Sequence, residues 1–484
     1  MENLKENTVK GVAWSAVDRV ANGGIQFLAN VMLARILSPD DFGLIAVIAI
    51  FIQISQVFID SGFSNALIQK KDRTQTDYST VFLFNLGISC LLYAVLFFCA
   101  PLIASFFKND TLTALTRVVG LNLLIGALVS VHKTRLSIEL RFKIQAFVTL
   151  ISSLVSAAAA IALGYAGWGV WSLVILTLLN TTLQVTLIYV LVRWMPSLTF
   201  SVRAFRHLFS YSSKLLGASM IALLYRNVYS IIIGKKYSIT DLGFFNTADN
   251  YAMYPSALIT TVVTRVAFPI FSRIQDDDER LRRAFSKYIV FASMVMFPIM
   301  ITLMALAEPL TLLVLKEKWL PFVPLLQILC LDWMTDHICN INLNILYVKG
   351  RSDLALKLEI IKKSIAMGIF FVSLFWGITG VCAGRVIYSY CAVYIQSFYT
   401  KRLIGISLVQ QLKDVAVPLL QAAAAGTAMW LVTLLGFALL PKVCLALLAG
   451  ILFYIVIVRM TTKNNYFELK EMIGISLRTL TKRK

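Results

Sequence analysis

The sequence predicts an all-α polytopic membrane protein with about fourteen transmembrane helices. Three observations predict it. The chain is 58% apolar and only 14% charged, with a mean hydropathy of +0.78, where soluble domains hold about 45–50% apolar and about 25% charged residues. Apolar runs of about twenty residues, enough to cross a ~30 Å hydrocarbon core at ~1.5 Å per residue, recur along the chain. Lys and Arg alternate in density between successive connections, as they do when connections alternate between the two sides of a membrane.

In order, the spans are predicted at 12–36, 42–68, 78–104, 115–131, 146–164, 168–192, 213–233, 242–271, 284–306, 325–348, 360–376, 379–400, 416–440 and 443–460. The first two form a hairpin through the corner Ser38-Pro39-Asp40-Asp41-Phe42-Gly43, and the second is closed by Lys70, Lys71 and Arg73. An even number of spans puts both termini on one side. That side carries 33 of the 45 basic residues, the opposite side 8, and four arginines, Arg19, Arg226, Arg265 and Arg385, fall inside spans. The positive-inside rule makes the richer side cytoplasmic. The net charge of +20 is then a topology and headgroup signal, so no nucleic-acid partner is expected. Segment 201–209 has Phe205, Leu208 and Phe209 on one face and Arg203, Arg206 and His207 on another, and is expected as an interfacial helix. The basic tail, 463–484, is expected at the cytoplasmic membrane surface.

The two halves repeat. Ser238-Ile239-Thr240-Asp241-Leu242-Gly243 follows the first corner by 200 residues, and Gly169-Val170 and Gly380-Val381 each open a span after a very short connection. Six spans repeated, plus two, gives an N-terminal lobe at 1–200, a C-terminal lobe at 201–412 and an added pair at 413–462. Six is even, so the repeats are parallel and their axis runs along the membrane normal.

Several chemistries are disfavoured. The seven cysteines lie in apolar runs with no C-x-x-C pair, and the three histidines are scattered, so neither a disulfide framework nor a metal site is expected. No cleavable signal peptide is evident. No G-x-x-x-x-G-K-[ST] loop is present. The connections opposite the termini are short, the longest running from about 307 to 324. The chain reads as a carrier and not an enzyme, without cofactor.

Five stretches carry a resemblance: LARILSPDDFGLIAV (33–47), DSGFSNALIQKKD (60–72), APLIASFF (100–107), LRFK (140–143) and GWGVWSLV (167–174). With them the sequence resembles bacterial polysaccharide exporters of the colanic-acid-exporter type, in the multidrug/oligosaccharidyl-lipid/polysaccharide flippase superfamily. The second half matches mainly in span count and in Asp241-Leu242-Gly243. The resemblance implies two six-helix lobes around a central cavity in the bacterial cytoplasmic membrane. It implies alternating-access export of an isoprenoid-pyrophosphate-linked oligosaccharide for surface polysaccharide, driven by an ion gradient or the membrane potential. Membrane lipids, a polysaccharide polymerase and its assembly machinery are the implied partners. Two other readings remain: a cation-coupled multidrug exporter of the same superfamily, and, from another class, a membrane glycosyltransferase or polymerase.

Charges inside spans are the candidate functional residues. Guanidinium suits pyrophosphate because it donates in a fork, which nominates Arg19, Arg226 and Arg265. Arg265 is also placed to reach headgroups. Arg19 and Asp60 lie at similar depth, roughly 12–14 Å from the cytoplasmic side, where they could pair; alternatively Asp60-Ser61-Gly62 closes a helix. Arg226 and Asp249 are a second expected pair. Arg385 is expected as an anchor near the outer interface. Span ten carries Asp332, Asp336, Asn340 and Asn344 at fourfold spacing, one drifting face suited to ion coupling or to helix–helix hydrogen bonding. Trp168, Trp171, Trp319 and Trp333 are candidates either to stack on sugars or to sit in the interfacial belt.

Overall fold

The computed structural model describes residues 2–60, 62–70 and 72–461. Within these, the side chains at 2–13, 15–17, 19, 20, 207, 210, 211, 213–215, 218, 221, 222, 226, 262 and 265 lie outside the described residues. Seventeen α-helices and two short 3-10 turns account for the described chain, and no strand occurs among the described residues. Among the described residues ten helical stretches are long and apolar enough to cross a membrane, which makes this an all-helical polytopic membrane protein. The chain divides into two compact units, Met1–Gly243 and Phe244–Lys484.

The first unit starts with α1 (Glu2–Ile36) and α2 (Pro39–Asp60). The corner between them is an N-cap in which Ser38 Oγ accepts from the Asp41 amide at 3.2 Å and Asp41 Oδ2 accepts from Ser38 N at 2.9 Å. Pro39 fills the first helical position, where no amide hydrogen is needed. The second corner repeats the device. Asp241 N donates to Ser238 Oγ at 2.9 Å, and that hydroxyl donates to Asp241 Oδ2 at 2.8 Å, opening α9 (Ile239–Arg273). The two corners touch, both inside the first unit. A Cβ on Gly43 would lie 1.9 Å from the Ile239 carbonyl oxygen, and one on Gly243 would lie 2.0 Å from that of Pro39. Thr240 Oγ1 donates to Asp40 Oδ1 at 3.2 Å. Glycine at position six of each corner is therefore a packing requirement.

Gly62, at φ 75°, caps the start of the short α3 (Phe63–Gln69), and α2 is described as far as Asp60. A Thr74–Asp77 capping box then opens α4 (Gln75–Phe107), and Lys70 Nζ binds Asp77 at 2.6 Å. α5 (Thr111–Ile138), α6 (Phe142–Tyr165) and α7 (Trp171–Val192) follow. α1 packs on α6, and α5 on α4 and α7. Ala29, Leu33 and Leu37 meet Ala157, Ala160, Leu173 and Leu176 in one buried cluster. The expected interfacial helix at 201–209 needs correction. It is the first part of the continuous α8 (Val202–Lys236), capped by Ser201, and it packs inside the unit. Phe205 lies 5.0 Å from the Phe84 ring and 5.8 Å from the Phe63 ring, because α3 and α4 offer an aromatic wall that buries its apolar face.

The second unit holds most of α9, then α10 (Asp278–Ala305), the short α11 (Ala307–Val314), α12 (Phe322–Trp333) and α13 (Asp336–Val348). α14 (Ser352–Ser373), α15 (Gly377–Ile404), α16 (Leu408–Thr433) and α17 (Leu439–Thr461) complete it. Predicted span ten is thus two helices with a break at Met334–Thr335. α16 packs on α10 and α17, aided by Gly426, which lies against Ile301, and Gly450, which lies against Met429.

Candidate functional site

Each unit carries a polar cluster among apolar helices. In the second unit, Arg385 of α15 donates through Nη1 to Asp249 of α9 at 2.8 Å and through Nη2 to Asp332 of α12 at 2.6 Å. The three side chains are 15%, 24% and 11% exposed, so this is a largely buried triad. Trp333 Nε1 donates to the same Asp249 oxygen at 2.8 Å. The guanidinium carbon sits 5.8 Å from the ring centres of both Phe245 and Trp333, within cation–π range. The side chain of Arg226, the partner expected for Asp249, lies outside the described residues. One expectation is corrected: Arg385, expected as an interfacial anchor, is a largely buried clamp on Asp249 and Asp332. The reason is geometric: one planar fork satisfies carboxylates brought by two other helices.

Asp336 has partners of its own, separate from those of the triad. It accepts from Thr260 Oγ1 at 2.9 Å and Ser256 Oγ at 3.3 Å on α9, and from Asn340 Nδ2 at 3.0 Å. Ser256 also donates to the Trp333 carbonyl, one of the groups left by the break, at 3.3 Å. The carboxyl is thus ringed by neutral donors. Beside it, His337 is fully buried and shares a 2.8 Å hydrogen bond with Ser293. Further along α13, Asn344 is buried, while Asn342 donates to Gln411 of α16 at 3.0 Å and accepts from Thr400 of α15 at 2.6 Å, which is helix–helix glue.

In the first unit, Asp60 of α2 is exposed. The base whose charge it senses among the described residues is Lys133 of α5. Lys133 also senses Asp18 of α1, and donates to Gln184 Oε1 of α7 at 2.6 Å. From there a hydrogen-bonded chain climbs the bundle. Gln184 donates to Asn180. Asn180 donates to Ser153 and Ser156 of α6, each at 3.2 Å. Ser153 donates to Asn22 of α1 and accepts from Gln26 at 3.5 Å. Sequence reading missed Lys133, because the apolar run of its helix stops at Val131 and a cation two residues later reads as part of a connection. The helix in fact continues to Ile138.

The side chains of Arg19, Arg226 and Arg265 lie outside the described residues. Of the tryptophans, Trp319 is fully buried against Phe244 and Phe322, and Trp333 is engaged with Asp249, so neither offers a free stacking face; Trp168 is 55% exposed. No cluster of metal-ligating side chains occurs among the described residues.

Many membrane-crossing helices, a broken helix and charges clustered in the interior define a membrane carrier fold. The solved lipid II flippase MurJ, in an inward closed conformation, superposes with a TM-score of 0.75 at 15% identity, covering 94% of this chain and 99% of that one. An inward-facing multidrug resistance MATE transporter of the MOP superfamily gives 0.58 at 17% identity, covering 80% and 94%. The family model described as polysaccharide biosynthesis protein matches residues 32–324, and the chain belongs to that family. Teichuronic acid biosynthesis protein TuaB of Bacillus subtilis is 26% identical over 439 residues, 88% of this chain and 89% of its own length. Lipopolysaccharide biosynthesis protein WzxC of Escherichia coli is 26% identical over 362 residues, 74% of each chain.

Proposed function

We propose that this protein is a flippase that moves an isoprenoid-pyrophosphate-linked oligosaccharide across the bacterial cytoplasmic membrane for surface polysaccharide assembly, by alternating access. The family match over 32–324 carries the reading. The interior chemistry supports it: charged side chains sit among membrane-spanning helices, where they mark functional sites by default. The cargo needs a cationic hold for its double phosphate and a polar path for its sugars, while its tail stays in lipid. Arg19, Arg226 and Arg265 are the proposed pyrophosphate ligands. Asp336, ringed by neutral donors at the break in span ten, is the proposed coupling residue for an ion gradient, and Asp249 and Asp332 are charge partners of Arg385.

The finer architecture belongs to the same proposal. Grouping α12 with α13, and treating α3 and α11 as short accessories, reduces seventeen helices to fourteen spans. These form two six-span lobes about a central cavity, 1–200 and 201–412, followed by the pair in 413–462, with both termini cytoplasmic. A polymerase that consumes the exported repeat unit is the natural partner. The test is deletion of the gene in its host. The expected result is loss of the surface polysaccharide with accumulation of lipid-linked repeat units inside. Unchanged polysaccharide without accumulation would overturn the proposal.

A further inference from the structure

We infer that Lys133 is a binding residue for the anionic head of the cargo, with Asp60 as the resident counter-charge that the head displaces; this rests on the lipid-linked reading above. Lys133 sits on a membrane-crossing helix, yet it is exposed. An ammonium on such a helix is costly against lipid, so we place Lys133 toward a polar space in the bundle. Its direction follows from the helix. Side chains tilt toward the N-terminus of their own helix, so Lys133 reaches away from the basic end of the bundle and toward its interior. The contact agrees: Gln184 lies eight residues before the end of α7 at Val192, roughly 12 Å along the axis.

The electrostatics suit an exchange. One ammonium proton goes to the neutral Gln184 carbonyl oxygen, and an ammonium has three to give. Two carboxylates on other helices act electrostatically on it: Asp60 of α2, which is exposed, and Asp18 of α1. Among the described residues the Lys133 ammonium makes one hydrogen bond, to Gln184, and no ion pair, so a phosphate can take the remaining protons. Beyond Lys133, the chain through Gln184, Asn180, Ser153 and Asn22 offers amide and hydroxyl groups, the usual partners of sugar hydroxyls. A pyrophosphate seated on Lys133 would place the attached sugar on this polar ladder.

The test uses the purified full-length protein and equilibrium binding of radiolabelled farnesyl pyrophosphate, with farnesol as competitor. Wild type should bind the pyrophosphate and ignore farnesol. Lys133→Gln should weaken binding about tenfold or more while melting at the wild-type temperature, and Lys133→Arg should restore most of it. Asp60→Asn should tighten binding about threefold, because a competing negative charge is gone. A merely structural Lys133–Asp60 interaction predicts the reverse for Asp60→Asn, lower thermal stability with unchanged affinity, and that result overturns the inference. Equal binding by wild type and Lys133→Gln also overturns it and leaves the flippase reading standing. Wild type that fails to distinguish farnesyl pyrophosphate from farnesol sinks both. If Lys133→Gln does not fold, the Asp60→Asn affinity decides: tighter supports the exchange, unchanged refutes it.

Discussion

Replacing Arg385 by Leu should be among the most damaging single changes in the second unit. The substitution removes the cation that holds Asp249 at 2.8 Å and Asp332 at 2.6 Å, and leaves both carboxylates facing each other. With Asp332 only 11% exposed and Asp249 24%, water can replace the guanidinium only in part. Breaking one largely buried ion pair costs about 3–5 kcal/mol. Here two carboxylates lose one shared partner, so the upper part of that range applies to Arg385→Leu. Trp333 still donates to Asp249, which makes Asp332 the more exposed to loss. The assay is the melting temperature of detergent-purified protein, with expression level as a second reading. The triple variant Arg385→Leu, Asp249→Asn, Asp332→Asn removes all three charges and should recover most of the loss, since the cost lies in unpaired charge and not in packing. If Arg385→Leu melts with wild type, or the triple variant is no better than the single one, the clamp does not hold these helices.

The other predictions rest on separate features. Gly43→Ala and Gly243→Ala each push a methyl to 1.9–2.0 Å from a carbonyl oxygen. Carbon–oxygen contacts sit near ~3.3 Å, so the corners must part by about 1.3 Å, at a cost of ~1–3 kcal/mol typical of overpacking; wild-type melting in both variants would contradict the contact. Asp336→Asn keeps the shape and most of the hydrogen bonds to Thr260, Ser256 and Asn340, so it should fold normally and lose gradient-driven transport; full transport would reassign the residue to packing. A reporter active only outside the cytoplasm, fused at Lys484, should stay silent, and strong activity there would require an odd number of spans.

Ten helical stretches among the described residues were legible from hydrophobic length, and the two corners because Ser, Asp and Gly each answer a local demand: cap, return bond and close approach. The two corners, 200 residues apart in sequence, meet in reciprocal contacts of Gly43 with Ile239 and of Gly243 with Pro39. The break at Met334–Thr335 was not legible. Met334 is a good helix former and a single Thr335 only a weak breaker, and the stop is stabilised from another helix by Ser256. Arg385 was misjudged for a related reason. Its partners lie 136 and 53 residues away in sequence, and no local pattern announces them. Lys133 escaped because a span was closed where its apolar run ended, one turn or more before the helix did.

The central claim is tested most directly in sealed vesicles holding the purified protein and a fluorescently labelled isoprenoid-pyrophosphate oligosaccharide, with no nucleotide present. Dithionite added outside bleaches only the outward-facing label. The account predicts that, under an imposed ion gradient, the protected half becomes accessible in vesicles with wild-type protein and stays protected in empty ones. A protected fraction unchanged by the protein, in vesicles that do transport a cationic dye, would contradict it and mark the chain as a drug exporter.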